Sequence, residues 1–228
     1  MLAFICTAQV AYANGKTDPL SSPVWQDLAQ KILGAGEIVF DDRSDAFARW
    51  KSGDVHVHMN YGGAYRVRAE GLARQADAEA LDLAFNLIVN KEQRIPDVSE
   101  FSPAPSRPEG ARAVISQGQE FHTSVWGHMG LVGLNDHLLL PDYVGYPKTA
   151  VESLYPDNAT VARLAREQGA LVGYVHPFDP PAPDPANDAK LTHALPADAA
   201  LGLVDYVEIV GFADHRTTEA VWHRLLNC

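Results

Sequence analysis

Cysteine is almost missing from this chain. Its two copies, Cys6 and Cys228, lie near opposite ends and form no close pair, which argues against a disulfide framework and against a thiolate metal site. Basic residues are scarce as well: Lys and Arg number 18 against 29 Asp and Glu, a formal net charge of −11. Such a balance disfavours nucleic acid and anionic membrane as partners and suits cations instead. No apolar run approaches the roughly 20 residues of a transmembrane helix. Familiar catalytic signatures are also absent: there is no Gly-x-Ser-x-Gly elbow, phosphate-binding loop or dinucleotide fingerprint. No internal repeat is found. What remains is a chain of 228 residues, 46% hydrophobic, long enough to bury one sizeable core without staples.

The N-terminus requires a decision of its own. Leu2 to Val10 is apolar and Ala11-Tyr12-Ala13 resembles a signal-peptidase site. No Lys or Arg precedes the run, however, and the stretch is short for a signal peptide. A strand over Ala8 to Ala13, closed by an Asn14-Gly15 turn, fits better. Residues 1–46 therefore read as an N-terminal segment, the tail of an upstream module, and 47–228 as the main domain.

Helix and strand signals then alternate. Ser22-Pro23 starts a helix running to about Leu33. The Ala-rich stretch 67–81 has helical periodicity, and Phe85 to Val89 is a buried strand. Pro96 to Pro108 is an exposed loop. Ala113 to Ile115, Glu120-Phe121 and Gly127 to Leu134 read as short strands. Asp157 caps a helix that ends at Gly169, and Ala170 to His176 is a strand. Asp179 to Asp188 is a surface excursion; Val204 to Phe212 is a strand and Thr217 to Leu226 a helix. This alternation predicts an α/β fold with a mainly parallel sheet, barrel-like in form.

The chemistry centres on Gly53-Asp54-Val55-His56-Val57-His58. Strand alternation sends Val55 and Val57 to one face and His56 and His58 to the other, with their Cα atoms about 6.6 Å apart. Two imidazoles at that spacing can share a cation. Further ligand types fall at strand ends: Glu120 in Gly118-Gln119-Glu120-Phe121-His122, His128 after Gly127, and His176 before Pro177. Singly, each is better explained as a core or capping residue; together they are harder to explain that way. A carboxylate at Glu120 can bridge two metals or orient an imidazole. His122 fits a ligand, a proton shuttle or an outer-shell residue. His137, His193 and His223 read as surface residues, and Asp214-His215 as a weaker site candidate or a loop cap.

In this order, the motifs Gly53-Asp54-Val55-His56-Val57-His58, Gly118-Gln119-Glu120, Gly127-His128 and His176-Pro177 resemble the polymerase-and-histidinol-phosphatase (PHP) superfamily. Asn90-Lys91-Glu92-Gln93, Trp126-Gly127-His128-Met129 and Val207 to Phe212 with Trp222 to Asn227 are similar to its CehA/McbA-type metallohydrolases. The resemblance spans about residue 47 to the end. It implies a distorted (β/α)7 barrel, a site for one to three divalent metal ions (zinc, manganese or iron), and hydrolysis of a small-molecule ester, amide or carbamate. A phosphoesterase and a catalytically silent metal-binding module are the alternatives. By position, His56, His58, Glu120, His128 and His176 match the metal ligands. His122 and Lys91, outside that match, are the expected catalytic groups. Two departures stand out. Many superfamily members carry Asp-His where this chain has Asn90-Lys91, so Lys91 is expected to bind an anionic group or a developing oxyanion. The family pattern also continues past a segment like Trp222 to Cys228 into a strand bearing an aspartate. The expectation is a barrel incomplete at its C-terminus, unless Asp214 or Asp205 takes that position.

Overall fold

The computed structural model describes residues 51–61, 65–89, 97–123, 125–139, 145, 148–150, 152–177, 193–209, 219, 222, 223 and 225. All belong to the larger of two compact units. The expected segment 1–46, Lys91, the excursion at 179–188 and Asp214-His215 lie outside the described residues. Among the described residues no helix is long and apolar enough to cross a membrane.

The elements run β1 (Gly53–Val57), β2 (Asn60–Tyr61), β3 (Tyr65–Arg66), α1 (Ala69–Ala78), β4 (Leu83–Val89), β5 (Val114–Phe121), β6 (Met129–Val132), α2 (Asn158–Glu167), β7 (Leu171–Tyr174), α3 (Leu195–Ala200) and β8 (Tyr206–Val207). One six-stranded sheet has the order β1-β4-β5-β6-β7-β8, and β2 pairs with β3 apart from it. β4 is buried along almost its whole length, as a strand covered on both faces must be. The two short strands expected at 113–115 and 120–121 are one strand, β5, which continues through Gly118 in register with β4.

The sheet is mixed because of one strand. β1, β4 and β5 are mutually parallel, β6 is antiparallel to both β5 and β7, and β8 is parallel to β7. Among the described strands of this sheet only β6 therefore runs backwards. The cause is chain length: residues 122–128 between β5 and β6 are too few for a parallel crossover, which takes a dozen or more.

Helices cover the outer face. α1 buries Leu72, Ala73 and Ala76 against Met59, Ala84 and Ile115. α2 starts where the Asp157 side chain accepts from the Thr160 N–H at 2.7 Å, and it buries Val161, Ala162 and Ala165 against Leu131, Val172 and Tyr174. Gly169, at φ +81°, turns the chain from α2 towards β7, a conformation glycine adopts without strain.

The inner face holds Val55, Phe85, Leu87, Val132 and Val175, with Tyr206 packed beside them. The sheet is curled about this layer. Laid flat, six strands at about 4.8 Å spacing would separate β1 from β8 by roughly 24 Å. Yet His56 Nδ1 on β1 lies 3.2 Å from Glu208 Oε2, just past β8. The result is a half-barrel with its two edges drawn together. Small residues permit the curl: the Tyr206 ring rests on Gly130 and Gly173, where a Cβ would overlap it.

A Cβ at Gly118 would stand 2.6 Å from the Leu131 carbonyl oxygen and 2.9 Å from Leu87 Cδ2. The carbonyl belongs to the β5–β6 pairing and cannot step aside. Gly118→Ala is expected to destabilise the fold by about 1–3 kcal/mol, read as a lower urea midpoint at unchanged slope. A midpoint equal to that of the unsubstituted chain would mean that β5 and β6 do not pack at this register.

Candidate metal centre

Five strands of the sheet end, and the reversed β6 begins, at the same edge of the half-barrel. The ligand types expected from the sequence gather there. His56 and His58 come from the end of β1, Glu120 from the end of β5, His122 one residue past it, and His128 from the residue before β6. His176 and Glu208 follow β7 and β8. The reversal of β6 is what brings His128 to this edge from a strand start.

β1 reaches the site by an irregular path. Between Asp54 and Val57 the register against β4 slips, the mark of a bulge. Asp54 sits in the turn of that bulge and accepts from the His56 N–H at 2.9 Å. The expectation that Val55 and Val57 share a face fails for this reason. Val55 joins the inner layer, whereas Val57 packs with the residues under α1. The imidazoles nonetheless converge, with His56 Nε2 and His58 Nε2 3.2 Å apart.

Glu120 is the centre of the cluster. Its Oε1 lies 3.0 Å from His128 Nδ1 and 3.0 Å from His176 Nε2. Its Oε2 lies 3.0 Å from His58 Nε2 and 3.6 Å from His56 Nε2. Burial opposes the charge on Glu120, but hydrogen bonds from His128, His176, His56 and His58 outweigh it and hold the carboxyl well below its ordinary pKa. Burial likewise works against a charged His56. Hydrogen bonds to Glu120 and Glu208 overcome it, and the imidazole is pushed up to about 10. Around this core, the His122 and His128 rings lie 3.4 Å apart between centroids, and His128 meets His176 edge-on at 4.9 Å.

The donor set fits divalent cations. Two groups, His56 with Glu120 and His176, and Glu120 with His122 and His128, each bring three ligand atoms within 4.8 Å of one another. Nitrogen donors on one tetrahedral cation at about 2.0–2.1 Å stand about 3.3 Å apart, close to the separation of His56 Nε2 and His58 Nε2. Both groups share Glu120, so its carboxylate has the position of a bridge. The imidazole and carboxylate donors do not choose among zinc, manganese and iron.

Every described residue expected at the site is present at this edge. Lys91 lies outside the described residues. His137, His193 and His223 are exposed, His193 with its Nδ1 2.9 Å from the Val125 carbonyl oxygen, and Asp205 is engaged by Arg166 and the Val172 N–H. One buried participant was missed: Glu208, which contacts His56 Nδ1 and the His176 N–H. Its signal was an acid between Val207 and Ile209 in an apolar run. No family model, curated protein or solved structure matches the chain.

The raised pKa of His56 gives the chelator-treated chain a defined pH dependence. The unfolded imidazole titrates near 6.5 and the folded one near 10. Its contribution to stability is therefore complete below about 6.5 and lost as the pH rises through about 10. The melting temperature in chelator is expected to fall between pH 7 and pH 10, and His56→Gln is expected to flatten that fall. A slope indifferent to His56→Gln would show that the imidazole is not held by the two carboxylates. Zinc content separates the histidines further: His128→Ala is expected to lose bound zinc and the exposed His137→Ala to keep it, by elemental analysis.

Proposed function

We propose that the chain is a metal-dependent hydrolase acting on a small ester, amide or carbamate. The observation that carries this reading is the buried carboxylate of Glu120 meeting four imidazoles at the strand-end edge of the half-barrel. His56, His58, Glu120 and His176 would hold one divalent cation, and Glu120, His122 and His128 a second. A divalent cation bound there supplies a Lewis acid for the scissile carbonyl and brings a coordinated water close to ionisation at neutral pH.

The protein's own groups do the rest. Burial of Glu120 and His122 keeps bulk water from the centre of the cluster. Two roles fit His122, which is buried with its ring tilted against that of His128: third ligand in its group, or carrier of the proton released as water attacks. The resemblance to CehA/McbA-type enzymes of the PHP superfamily supports the carbonyl substrates, and with them a distorted (β/α)7 barrel of which the half-barrel is a part. A second reading, phosphoester hydrolysis, is favoured by the two ligand groups sharing one carboxylate, since paired cations clamp the attacking and leaving oxygens of an in-line displacement.

Protein purified without chelator is expected to carry zinc, manganese or iron by elemental analysis and to hydrolyse aryl esters or aryl carbamates faster than aryl phosphates. The reverse preference would select the phosphoesterase. A chain that takes up no metal and hydrolyses none of the panel after reconstitution would overturn both readings. Glu120→Gln keeps the shape but removes the shared charge, so it is expected to lower kcat/KM by on the order of 10²–10³-fold, several kcal/mol of transition-state stabilisation. His122→Gln decides between the two roles of that residue. Retained metal with a lower kcat and an altered pH profile identifies a proton carrier, whereas lost metal identifies a ligand.

A further inference from the structure

Two histidines of one ligand group share a partner outside it, one through its ring and the other through its backbone N–H. Glu208 follows β8, is 4% exposed, and stands at the opposite edge of the sheet from β1. Its carboxylate lies 3.2 and 3.3 Å from His56 Nδ1 and accepts from the backbone N–H of His176. On His56 the other ring nitrogen, Nε2, faces Glu120 and His58. On His176 the ring Nε2 faces Glu120, while the backbone is at φ +29°, a left-handed conformation that a non-glycine residue holds only when its surroundings enforce it. The next residue, Pro177, has no N–H with which to satisfy a neighbour, so the amide of His176 is the donor that fixes this turn.

We propose that Glu208 is a positioning residue that sets both imidazoles of the His56–Glu120–His176 group for cation binding, by fixing the tautomer of one and the backbone turn of the other. An imidazole that donates from Nδ1 to a carboxylate must present the lone pair of Nε2 to a metal, and such a partner also orients the ring and raises its basicity. Glu208 lies on the far side of the His56 ring from Glu120, so it acts through His56 and does not join the three ligand atoms. The same side chain ties β1 to the end of β8. Orientation of the ligands and closure of the curl thus depend on one carboxylate. This inference rests on the reading of the cluster as a cation site and adds a residue that the ligand pattern does not contain.

The test uses the full chain, with zinc alone as the probe, and the variants Glu208→Ala and Glu208→Gln. Zinc affinity is measured by competition with a chromophoric chelator, and the histidine ring nitrogens of the zinc-loaded protein are observed by 15N-detected magnetic resonance. Glu208→Ala is expected to weaken zinc binding by ~10–100-fold. Glu208→Gln keeps the size and one acceptor oxygen and is expected to fall between that variant and the unsubstituted chain. It also carries the test if the alanine variant does not fold. In the zinc-loaded unsubstituted chain His56 is expected to show a slowly exchanging Nδ1–H, and in the variants a fast one. A structural role alone would lower the melting temperature while leaving zinc affinity and the His56 tautomer unchanged, and that result would overturn the proposal. If the unsubstituted chain itself takes up no zinc, the cation reading fails. If it binds zinc and both variants bind it equally well, only the role of Glu208 fails.

Discussion

A carboxylate 1% exposed to solvent has to be compensated, and the arrangement of the whole strand-end edge follows from how Glu120 is compensated. An isolated buried carboxylate would simply take up a proton. Glu120 stays ionised because four imidazoles reach it from three separate stretches of chain. Proton and cation would be interchangeable here: a divalent ion, if bound, would take over the charge that a protonated His56 otherwise supplies. The same balance explains why a strongly acidic chain concentrates its histidines in one place.

Architecture does the gathering. Parallel strands end at a common edge, so any residue just past a strand is delivered there. The reversed β6 would break that rule, except that its ligand precedes the strand and so arrives at the same edge. The curl then draws β1 and β8 together across the inner layer, and the glycines of β6 and β7 make room for the Tyr206 ring that fills the bend. Without curvature His56 and Glu208 would stand on opposite margins of an open sheet. The cluster and the curl depend on each other.

Much of this was legible in the chain. The apolar run at β4, the Asp157 cap and the Gly169 stop of α2 are local signals, and local signals are read from neighbours in sequence. The convergence of His56, His58, Glu120, His128 and His176 was legible from their common placement at strand boundaries. The bulge in β1 was not, because a register slip exists only relative to the partner strand β4. The continuity of β5 was hidden by Gly118, whose missing side chain interrupts the apolar pattern although the backbone pairs on through it. Glu208 escaped because a single acid in a hydrophobic strand carries no periodicity. Its reason lies on the far edge of the sheet.

That distance has a kinetic meaning. His56 and Glu208 are separated by 152 positions in sequence, so their contact forms only after the longest loop closure in the described sheet. During synthesis His56 and His58 emerge well ahead of the group that orients them, and a partly folded chain holds imidazoles without a built site. A cation captured in this geometry would therefore arrive late, coupled to docking of β8. Its uptake would report that the curl of the described sheet has closed.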